Sequence, residues 1–182
     1  LPNPEIAYVN GGGIRKQIEA GDITLDDIYS VHPFGNTMCV IRVTGQQVLD
    51  ALEWGARAVP SENGGFLQVS GLTYEIHTGV ASSAEKDENG MFTRVSGEYR
   101  VKNVMVGGQP LELDKTYTLA SHNYMLLGHG DGYTMFDGCE VLGEDMMVDN
   151  QVLITYITTT LGGVVGEQYA NPYGDGRIVA VE

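Results

Sequence analysis

Short apolar segments that alternate with glycine-bearing turns are the feature that most constrains the fold of this chain. Residues 6–9, with the sequence IAYV, read as a buried strand that runs directly into a turn at 10–13. Comparable segments, several of them rich in β-branched residues, occupy 38–43, 67–76, 101–106, 116–121 and 178–181. The 25 glycines among 182 residues permit tight turns and close backbone approaches. The pattern therefore predicts a domain built largely from strands.

Helical signals are interspersed among these strands. Residues 45–58 have the spacing of an amphipathic helix that Pro60 would end. The predicted buried stripe of this helix comprises Leu49, Leu52, Ala56 and Val59. Thr24, followed three residues later by Asp27, is typical of a capped helix N-terminus.

A further helix is predicted over 149–161, with Asp149 as its cap. Its predicted inward positions are Val152 or Leu153, Tyr156 or Ile157, and Leu161. This helix adds to the interspersed order of helices and strands along the chain.

The turns complete the prediction of the fold class. The apolar register of 67–76 shifts at Gly71, which predicts a β-bulge there. Residues 78–96 are polar and read as a surface excursion or hairpin tip, and Gly107-Gly108 indicates a hairpin. Strands and helices mixed in this order favour an α+β domain with a mixed β-sheet over a doubly wound parallel one. Because no linker is visible, residues 1–182 are expected to form a single domain.

The charge of the chain excludes some classes of partner. The formal net charge is −14, so the overall field opposes binding of nucleic acid. A small anionic ligand would need a local cation, and Arg15 in a glycine-rich string is a candidate. No segment is long and apolar enough to predict insertion into a membrane. Cys39 and Cys139 form no metal or disulfide pattern and are expected to be buried, unreactive thiols.

The string NGGGIR at 10–15 is the first candidate binding motif. It lacks the spacing of a Walker loop or of a dinucleotide fingerprint. The amide of Asn10 offers a donor and an acceptor, and the Arg15 guanidinium can hold an anion or a ribose hydroxyl. Taken alone, the string is equally consistent with a tight turn that carries an exposed arginine.

Two aromatic residues and a carboxylate extend the candidate site. Phe34 lies in the loop string PFGN with Asn36, where a ring can stack on a nucleobase. Tyr124 supplies a second ring, and Asp131 in a Gly-Asp-Gly turn can accept hydrogen bonds from ribose hydroxyls. The co-occurrence of these strings, more than any one of them, predicts a nucleotide pocket. Each taken singly also fits a core-plugging aromatic or a plain turn.

The histidines do not form a recognisable catalytic or metal centre. No His-x-x-x-His or Glu-x-x-His pair is present, and the Gly-x-Ser-x-Gly elbow of a serine hydrolase is missing. We therefore predict no catalytic and no metal-ligating residue in this chain. A free-standing hydrolase that uses His122 or His129 is the weakest of the hypotheses.

The ordered motifs resemble the C-terminal domain of the 5′-nucleotidases, a family that includes bacterial UDP-sugar hydrolases and the animal surface ecto-5′-nucleotidase. The resemblance covers most of the chain. The matching strings, in order, are NGGGIR, GDIT with DIYSVHPFGNT, VTGQQVLDALE, GGFLQVSGLTYEI, and TYTLASHNYM with GDGYTMF.

The resemblance implies a role for each candidate residue. By this likeness Asn10 and Arg15 bind the nucleoside and its surroundings, and Asn36 contacts the base. Phe34 and Tyr124 would stack on the two faces of the base, while Asp131 would bind the ribose hydroxyls. The family usually has Phe at the position of Tyr124, and the following loop is one residue longer here, so Met125 is an alternative.

The resemblance also implies what this chain lacks. Family members carry an N-terminal metallophosphoesterase domain with a pair of divalent metals of the Zn, Mn or Mg type. This chain would be the substrate-binding half, which positions a nucleotide or nucleoside for that domain and is inactive alone. In the family, a hinge rotation carries the substrate to the metals. Such enzymes are usually extracellular, periplasmic or on the cell surface, and a bacterial origin is expected. The alternative is a surface binding or adhesion module that kept the fold.

Overall fold

The computed structural model describes residues 3–171 and 173–182, and these form eleven strands and four α-helices. The strands are β1 Ile6–Asn10, β2 Met38–Thr44, β3 Leu67–Ser70, β4 Leu72–His77, β5 Ala84–Lys86, β6 Phe92–Val95, β7 Val101–Val106, β8 Gln109–Pro110, β9 Thr116–His122, β10 Glu140–Gly143 and β11 Ile178–Val181. The helices are α1 Leu25–Val31, α2 Gly45–Ala56, α3 Asn123–Leu126 and α4 Asp149–Thr155.

The strands form two main sheets and a separate hairpin. The first sheet has the order β10-β2-β9-β1-β3, the second has the order β11-β4-β7-β8, and β5 pairs with β6. Among the described strands, β1 with β9 and β4 with β11 run parallel, and the other pairs are antiparallel. The α+β class with mixed sheets and hairpins is therefore confirmed, with two main sheets where the sequence predicted one. That residues 1–182 form a single domain stays a prediction.

Helix α2 lies in the centre of the core, in contact with β2 and β3 of the first sheet and β7 of the second. It ends at Ala56, two residues before the predicted end. The predicted stripe was right for Leu52 and Ala56, but Leu49 and Val59 are only partly buried. The remaining fully buried hydrophobic positions of α2 are Val48, Ala51 and Trp54. A helix that contacts two sheets buries more than the single stripe that periodicity predicts.

Both α1 and α2 begin with a capping box. The Thr24 hydroxyl accepts from the Asp27 backbone N–H, and the Asp27 side chain accepts from the Thr24 backbone N–H. Thr44 and Gln47 make the equivalent reciprocal pair at α2. These bonds satisfy N–H groups that have no partner inside the helix. The predicted helix start at Thr24 is confirmed.

The C-terminal half of α2 is tied to β7 through buried polar groups. Glu53 is fully buried, and its carboxylate accepts from the backbone N–H of Val101 at 2.9 Å. Burial raises the pKa of Glu53, against the hydrogen bonds it accepts and the nearby Arg100 cation. Arg100, also buried, donates to the carbonyl groups of Ala56 and Val59. These contacts hold the helix in place between the two sheets.

The predicted bulge at Gly71 is wrong, because the residue connects two sheets. The segment 67–76 divides into β3 of the first sheet and β4 of the second. Gly71 lies between them with φ of +80°, in the left-handed region that favours glycine. A Cβ atom at this position would lie 2.0 Å from the Glu5 carbonyl oxygen. The interrupted apolar pattern therefore marks a crossing from one sheet to the other.

The crossing at Gly71 gives a stability prediction. Gly71→Ala should lower the free energy of unfolding by about 3 kcal/mol, because a strained φ is combined with a backbone clash. Gly107→Ala is the matched control, since Gly107 also has a positive φ of 57° but no atom within 4 Å of its added Cβ. We expect a loss of about 1 kcal/mol for the control. Urea denaturation measures the free energy of unfolding of both variants. Equal losses would contradict the backbone clash that we assign to Gly71.

The two predicted hairpins are present. Residues 78–96 contain β5 and β6, and Phe92 at the start of β6 packs edge-on against Trp54, with ring centroids 5.7 Å apart. Gly107 and Gly108 connect β7 to β8 and both have positive φ, as a two-residue hairpin turn requires.

Helix α4 confirms the predicted element, but the predicted cap at Asp149 and the predicted burial are wrong. Val148 is the N-cap, so Asp149 is the first helical residue, and a π-helical turn follows over Tyr156–Thr160. The predicted inward residues of the helix are only partly buried or exposed. The helix contacts α1 and lies outside the main core. A periodic apolar pattern was thus mistaken for a core-facing stripe.

Within the residues that the structure describes, no helix is both long and apolar enough to cross a membrane. Cys39 is buried and Cys139 is half-buried, and both are free thiols. Burial raises the pKa of both thiols, which disfavours the reactive thiolate. The expectation of unreactive thiols agrees with these shifts, although Cys139 is less buried than predicted.

Candidate functional site

The topology of the first sheet brings the first and last candidate motifs together. Strands β1 and β9 are parallel neighbours, with Ile6 opposite Leu119 and Ala7 opposite Ala120. Because parallel strands end at the same edge of a sheet, Asn10 at the end of β1 lies beside His122 at the end of β9. The Asn10 Oδ1 and His122 Nε2 atoms are 3.1 Å apart, and both residues are buried.

Asn10, Tyr124 and Asp131 form a hydrogen-bonded cluster at this edge. Asn10 Nδ2 donates to Asp131 Oδ2 at 2.7 Å, and the Tyr124 hydroxyl donates to Asp131 Oδ1 at 3.2 Å. Burial raises the pKa of Tyr124, and the neighbouring Asp131 carboxylate adds to the shift. Three of the six sequence-predicted site residues are therefore in direct contact. Each Asp131 oxygen keeps acceptor capacity for an incoming hydroxyl.

The backbone of Asp131 is held in an unusual conformation. Its φ is +54°, in the left-handed region, and that of His129 is +55°. The buried indole of Trp54 donates from Nε1 to the Asp131 carbonyl oxygen at 2.9 Å. His129 additionally pairs with the Asp137 carboxylate. Strained non-glycine residues of this kind persist where surrounding contacts determine them, and they are frequent at functional sites.

Arg15 and Phe34 form a second pair. The backbone N–H of Arg15 donates to the carbonyl oxygen of Val31, the last residue of α1. The Arg15 guanidinium donates to the carbonyl oxygen of Gly12 at 3.1 Å. Its Cζ lies 5.9 Å from the centroid of the Phe34 ring, within the range of a cation–π contact. The Phe34 residue is 60% exposed, so the ring is presented to solvent.

Tyr124 presents the second exposed ring, at 42% exposure, whereas its alternative Met125 is fully buried. The ring covers Gly130 so closely that an added Cβ there would lie 2.3 Å from a ring carbon. Only glycine at position 130 is compatible with this placement of the ring. Of the two candidates for the second stacking position, Tyr124 is therefore the one at the surface.

The loops that carry the two rings are tied to each other. The side-chain carbonyl of Asn123 accepts from the backbone N–H of Thr37 at 3.1 Å and from that of Tyr124 at 3.0 Å. Asn36 is half-buried, and its backbone carbonyl accepts from the Asp149 N–H at 2.8 Å. These bonds connect the PFGN loop to α3 and α4. That all six predicted residues bind one nucleoside stays a prediction.

Sequence reasoning missed Trp54 and Arg57 as parts of the site. The Arg57 guanidinium lies 3.6 Å from the Trp54 ring centroid and donates to the Trp54 carbonyl oxygen at 2.6 Å. Burial lowers the pKa of Arg57, against the attraction of Tyr133 and the Asp131 carboxylate. The spacing of the two residues, three positions apart at the end of a helix, indicates a contact between them but does not connect the pair to Asp131.

Arg15 and Arg57 differ from the other arginines in their partners. Arg42, Arg94 and Arg177 pair with carboxylates, and Arg100 is buried against backbone carbonyls. In the part of the chain that the structure describes, neither Arg15 nor Arg57 has a carboxylate within 4.0 Å. Of these two cations, Arg57 lies near enough to Asp131 for the carboxylate to act on its pKa, and Arg15 lies beside the Phe34 ring.

The resemblance implies a metal pair in a separate N-terminal domain, and the donor set of the described residues does not fit such a pair. Among residues 3–171 and 173–182, no three His, Cys, Asp or Glu side chains converge in a way that could hold a metal ion. The carboxylate of Asp131 is instead engaged by Asn10 and Tyr124. We therefore assign no step through a metal to these residues.

Comparison with known proteins identifies the family. Residues 2–138 match the family model for the "5′-nucleotidase, C-terminal domain". This chain belongs to that family. The trifunctional nucleotide phosphoesterase protein YfkN of Bacillus subtilis is 35% identical over 176 residues, which are 97% of this chain and 11% of YfkN. The 5′-nucleotidase of Vibrio vulnificus is 31% identical over 153 residues, which are 84% of this chain and 24% of that protein.

A solved structure supports the same assignment. The 5′-nucleotidase precursor of Thermus thermophilus superposes with a TM-score of 0.79 and 32% identity, over 98% of this chain and 32% of that one. This chain spans 11% of YfkN and 24% of the Vibrio vulnificus enzyme. These relatives therefore contain long segments that have no counterpart among the residues of this chain.

The buried His122 predicts a pH dependence of stability. Burial lowers the pKa of His122 from its ordinary value of 6.5, and His32 adds to the shift against the attraction of Asp149 and Asp131. The unfolded chain therefore takes up a proton that the folded chain resists. The contribution of His122 to the free energy of unfolding should fall as pH drops below about 6.5, and it should be constant above that pH.

Urea denaturation at about pH 7.5 and about pH 5.5 measures this effect. His122→Gln removes the titrating group, so its stability should fall less between the two pH values than that of the wild type. The difference between the two proteins cancels the titration of the remaining histidines. An equal fall in both proteins would show that His122 does not titrate with a lowered pKa.

Proposed function

We propose that this chain is the nucleoside-binding domain of a 5′-nucleotidase-type phosphohydrolase. The observation that carries the proposal is the cluster in which Asn10 and Tyr124 hold the Asp131 carboxylate at the edge of the first sheet. The exposed Phe34 ring and the Arg15 cation, which come from the segments on either side of α1 and lie 5.9 Å apart, would complete the set of groups that a nucleotide needs. Family membership supports the same assignment.

Stacking would supply most of the affinity for the base. Phe34 and Tyr124 are both substantially exposed, and the loops that carry them are joined through Thr37 and Asn123. A base between two such rings gains about 1–3 kcal/mol for each stacking contact. Asn36, which follows Phe34 by two residues, would contact the polar edge of the base.

The ribose and the phosphate would be held by the charged residues. Asp131 would accept hydrogen bonds from the ribose hydroxyls with the lone pairs that Asn10 and Tyr124 leave free. Arg15 would provide a local positive charge for the anionic part of the ligand, which the net charge of −14 otherwise repels. Binding at this site would fix the direction in which the phosphate points.

Catalysis would take place on a separate N-terminal metallophosphoesterase domain of the same polypeptide. The described residues do not form a metal site, and the named relatives extend well beyond the part that matches this chain. The domain would contribute by positioning the substrate, which lowers the entropic cost of the reaction. We also propose that the complete protein is a bacterial enzyme that acts outside the cytoplasm. The Thermus thermophilus relative, which is named as a precursor, supports that location.

The rival function is a surface binding or adhesion module. The relatives named above bear the names of a nucleotide phosphoesterase and of 5′-nucleotidases. These names favour a substrate-binding role, and a binding measurement separates the two functions directly.

The stacking role gives the first binding prediction. Phe34→Ala should weaken adenosine binding at least about fivefold, because one stacked face is lost. Tyr173→Ala is the control, since Tyr173 is an aromatic residue at 96% exposure that lies outside the proposed site. Titration calorimetry with adenosine and with uridine measures the nucleoside affinity of both variants. Absence of binding heat with any nucleoside would favour the adhesion module instead.

The assignment of catalysis to a separate domain gives a second prediction. The 182-residue chain, supplied with AMP and millimolar Mn²⁺ or Zn²⁺, should release phosphate no faster than buffer does. The physical reason is that the described residues lack a set of ligands for the metals. A colorimetric phosphate assay measures the rate, with a complete 5′-nucleotidase as the positive control. Robust turnover by the purified chain would refute the assignment of catalysis to another domain.

A further inference from the structure

We propose that His122 is a positioning residue that orients the Asn10 amide, and through it the Asp131 carboxylate, before a nucleoside arrives. The inference rests on the proposed function, because it concerns the same site. The Nε2 atom of His122 faces Asn10 and not Asp131, so His122 would act on the carboxylate indirectly. Its effect would pass through two successive hydrogen bonds.

The direction of each hydrogen bond follows from the chemistry of the groups. Asp131 Oδ2 is a carboxylate oxygen and can only accept, so Asn10 must turn its Nδ2 group toward it. The Oδ1 atom of Asn10 then faces His122 and can only accept. His122 must therefore carry a hydrogen on Nε2. The order of donation is from His122 to Asn10 and from Asn10 to Asp131.

The environment of the ring selects one neutral form of His122. The other nitrogen, Nδ1, is buried and has no hydrogen-bond partner among the described residues. A proton on Nδ1 would be a buried donor without an acceptor, which is more costly than an unpaired acceptor lone pair on a neutral ring. The imidazole with hydrogen on Nε2 alone is therefore the form that suits the site. His122 is 7% exposed and Asn10 is 5% exposed, so water cannot readily replace either partner.

Without the His122 donor, Asn10 Oδ1 would be a buried acceptor with no hydrogen-bond partner among the described residues, and the amide would be held from the Asp131 side alone. The Asp131 carboxylate already disfavours the flipped amide, which would place Oδ1 against it, and the His122 donor adds the second constraint that fixes the amide in place. Gly13 shows how little space surrounds the group, because an added Cβ there would lie 2.8 Å from Asn10 Oδ1. The third glycine of the NGGG string thus provides room for the amide that His122 orients. This role explains why a strand-end histidine lies buried beside the motif.

Two substitutions at position 122 test the inference. His122→Phe keeps an aromatic ring but removes the donor, and we expect it to weaken adenosine binding about tenfold. His122→Gln can place an amide N–H near the position of Nε2, and we expect affinity within about threefold of the wild type. Rescue by Gln but not by Phe would show that the N–H group, and not ring packing, is what matters.

Gly13→Ala provides an independent test, in case His122→Phe fails to fold. It should displace the Asn10 amide while His122 stays intact, and we expect a similar loss of adenosine affinity. Urea denaturation of each variant at the same pH establishes that the binding comparison concerns folded protein. Adenosine binding of wild-type strength in both His122→Phe and Gly13→Ala would overturn the proposal.

Nuclear magnetic resonance of the ligand-free chain separates this inference from the proposed function. Nitrogen-15 shifts of His122 should show hydrogen on Nε2 alone, and the Asn10 side-chain NH₂ should exchange slowly in the wild type and in His122→Gln. Exchange should be fast in His122→Phe. A ring with hydrogen on Nδ1, or slow exchange in all three proteins, would overturn the role of His122 whether or not the wild type binds adenosine.

Discussion

The hydrogen bond from the Trp54 indole to the Asp131 carbonyl is the contact through which the core holds the site. Trp54 is fully buried in α2, the helix that contacts both main sheets, and its ring packs against Phe92 from the β5–β6 hairpin. The same side chain carries the Arg57 guanidinium on its face. Because one residue belongs to both the core and the site, the left-handed Asp131 backbone depends on the packing of the whole domain.

The polar part of the site is organised by the direction of its hydrogen bonds. Asp131 receives donors from Asn10 and Tyr124, and Asn10 in turn receives one from His122. For the proposed ribose ligand, a carboxylate held in this way would need little reorganisation, and this would reduce the entropic cost of association. For the anionic ligand that we propose, the strongly acidic chain keeps the cations Arg15 and Arg57 apart from the carboxylate pairs of the surface.

Local signals in the sequence predicted those parts of the fold that local physics determines. The capping box at Thr24 and the glycine pair after β7 each specify a backbone geometry within a few residues, and the structure contains both. The division of strands at Gly71 was not predictable in this way, because the deciding contact is with the distant Glu5 carbonyl. The exposed position of α4 was missed for a related reason. Periodicity shows that a helix has an apolar face but does not show what covers it.

In the candidate site, too, some residues could be predicted from their own segments and others only from contacts that are distant in sequence. Motif order was enough to propose Phe34, Tyr124 and Asp131, because each ring or carboxylate lies in a turn with its own sequence signature. The supporting residues Trp54 and His122 could not be found from their own segments, since their partners lie 77 and 112 positions away. A parallel pairing of β1 with β9 is what places Asn10 beside His122. The residues that we propose to touch a ligand are thus found in short motifs, whereas the residues that hold those motifs in position are found only once the strands are paired.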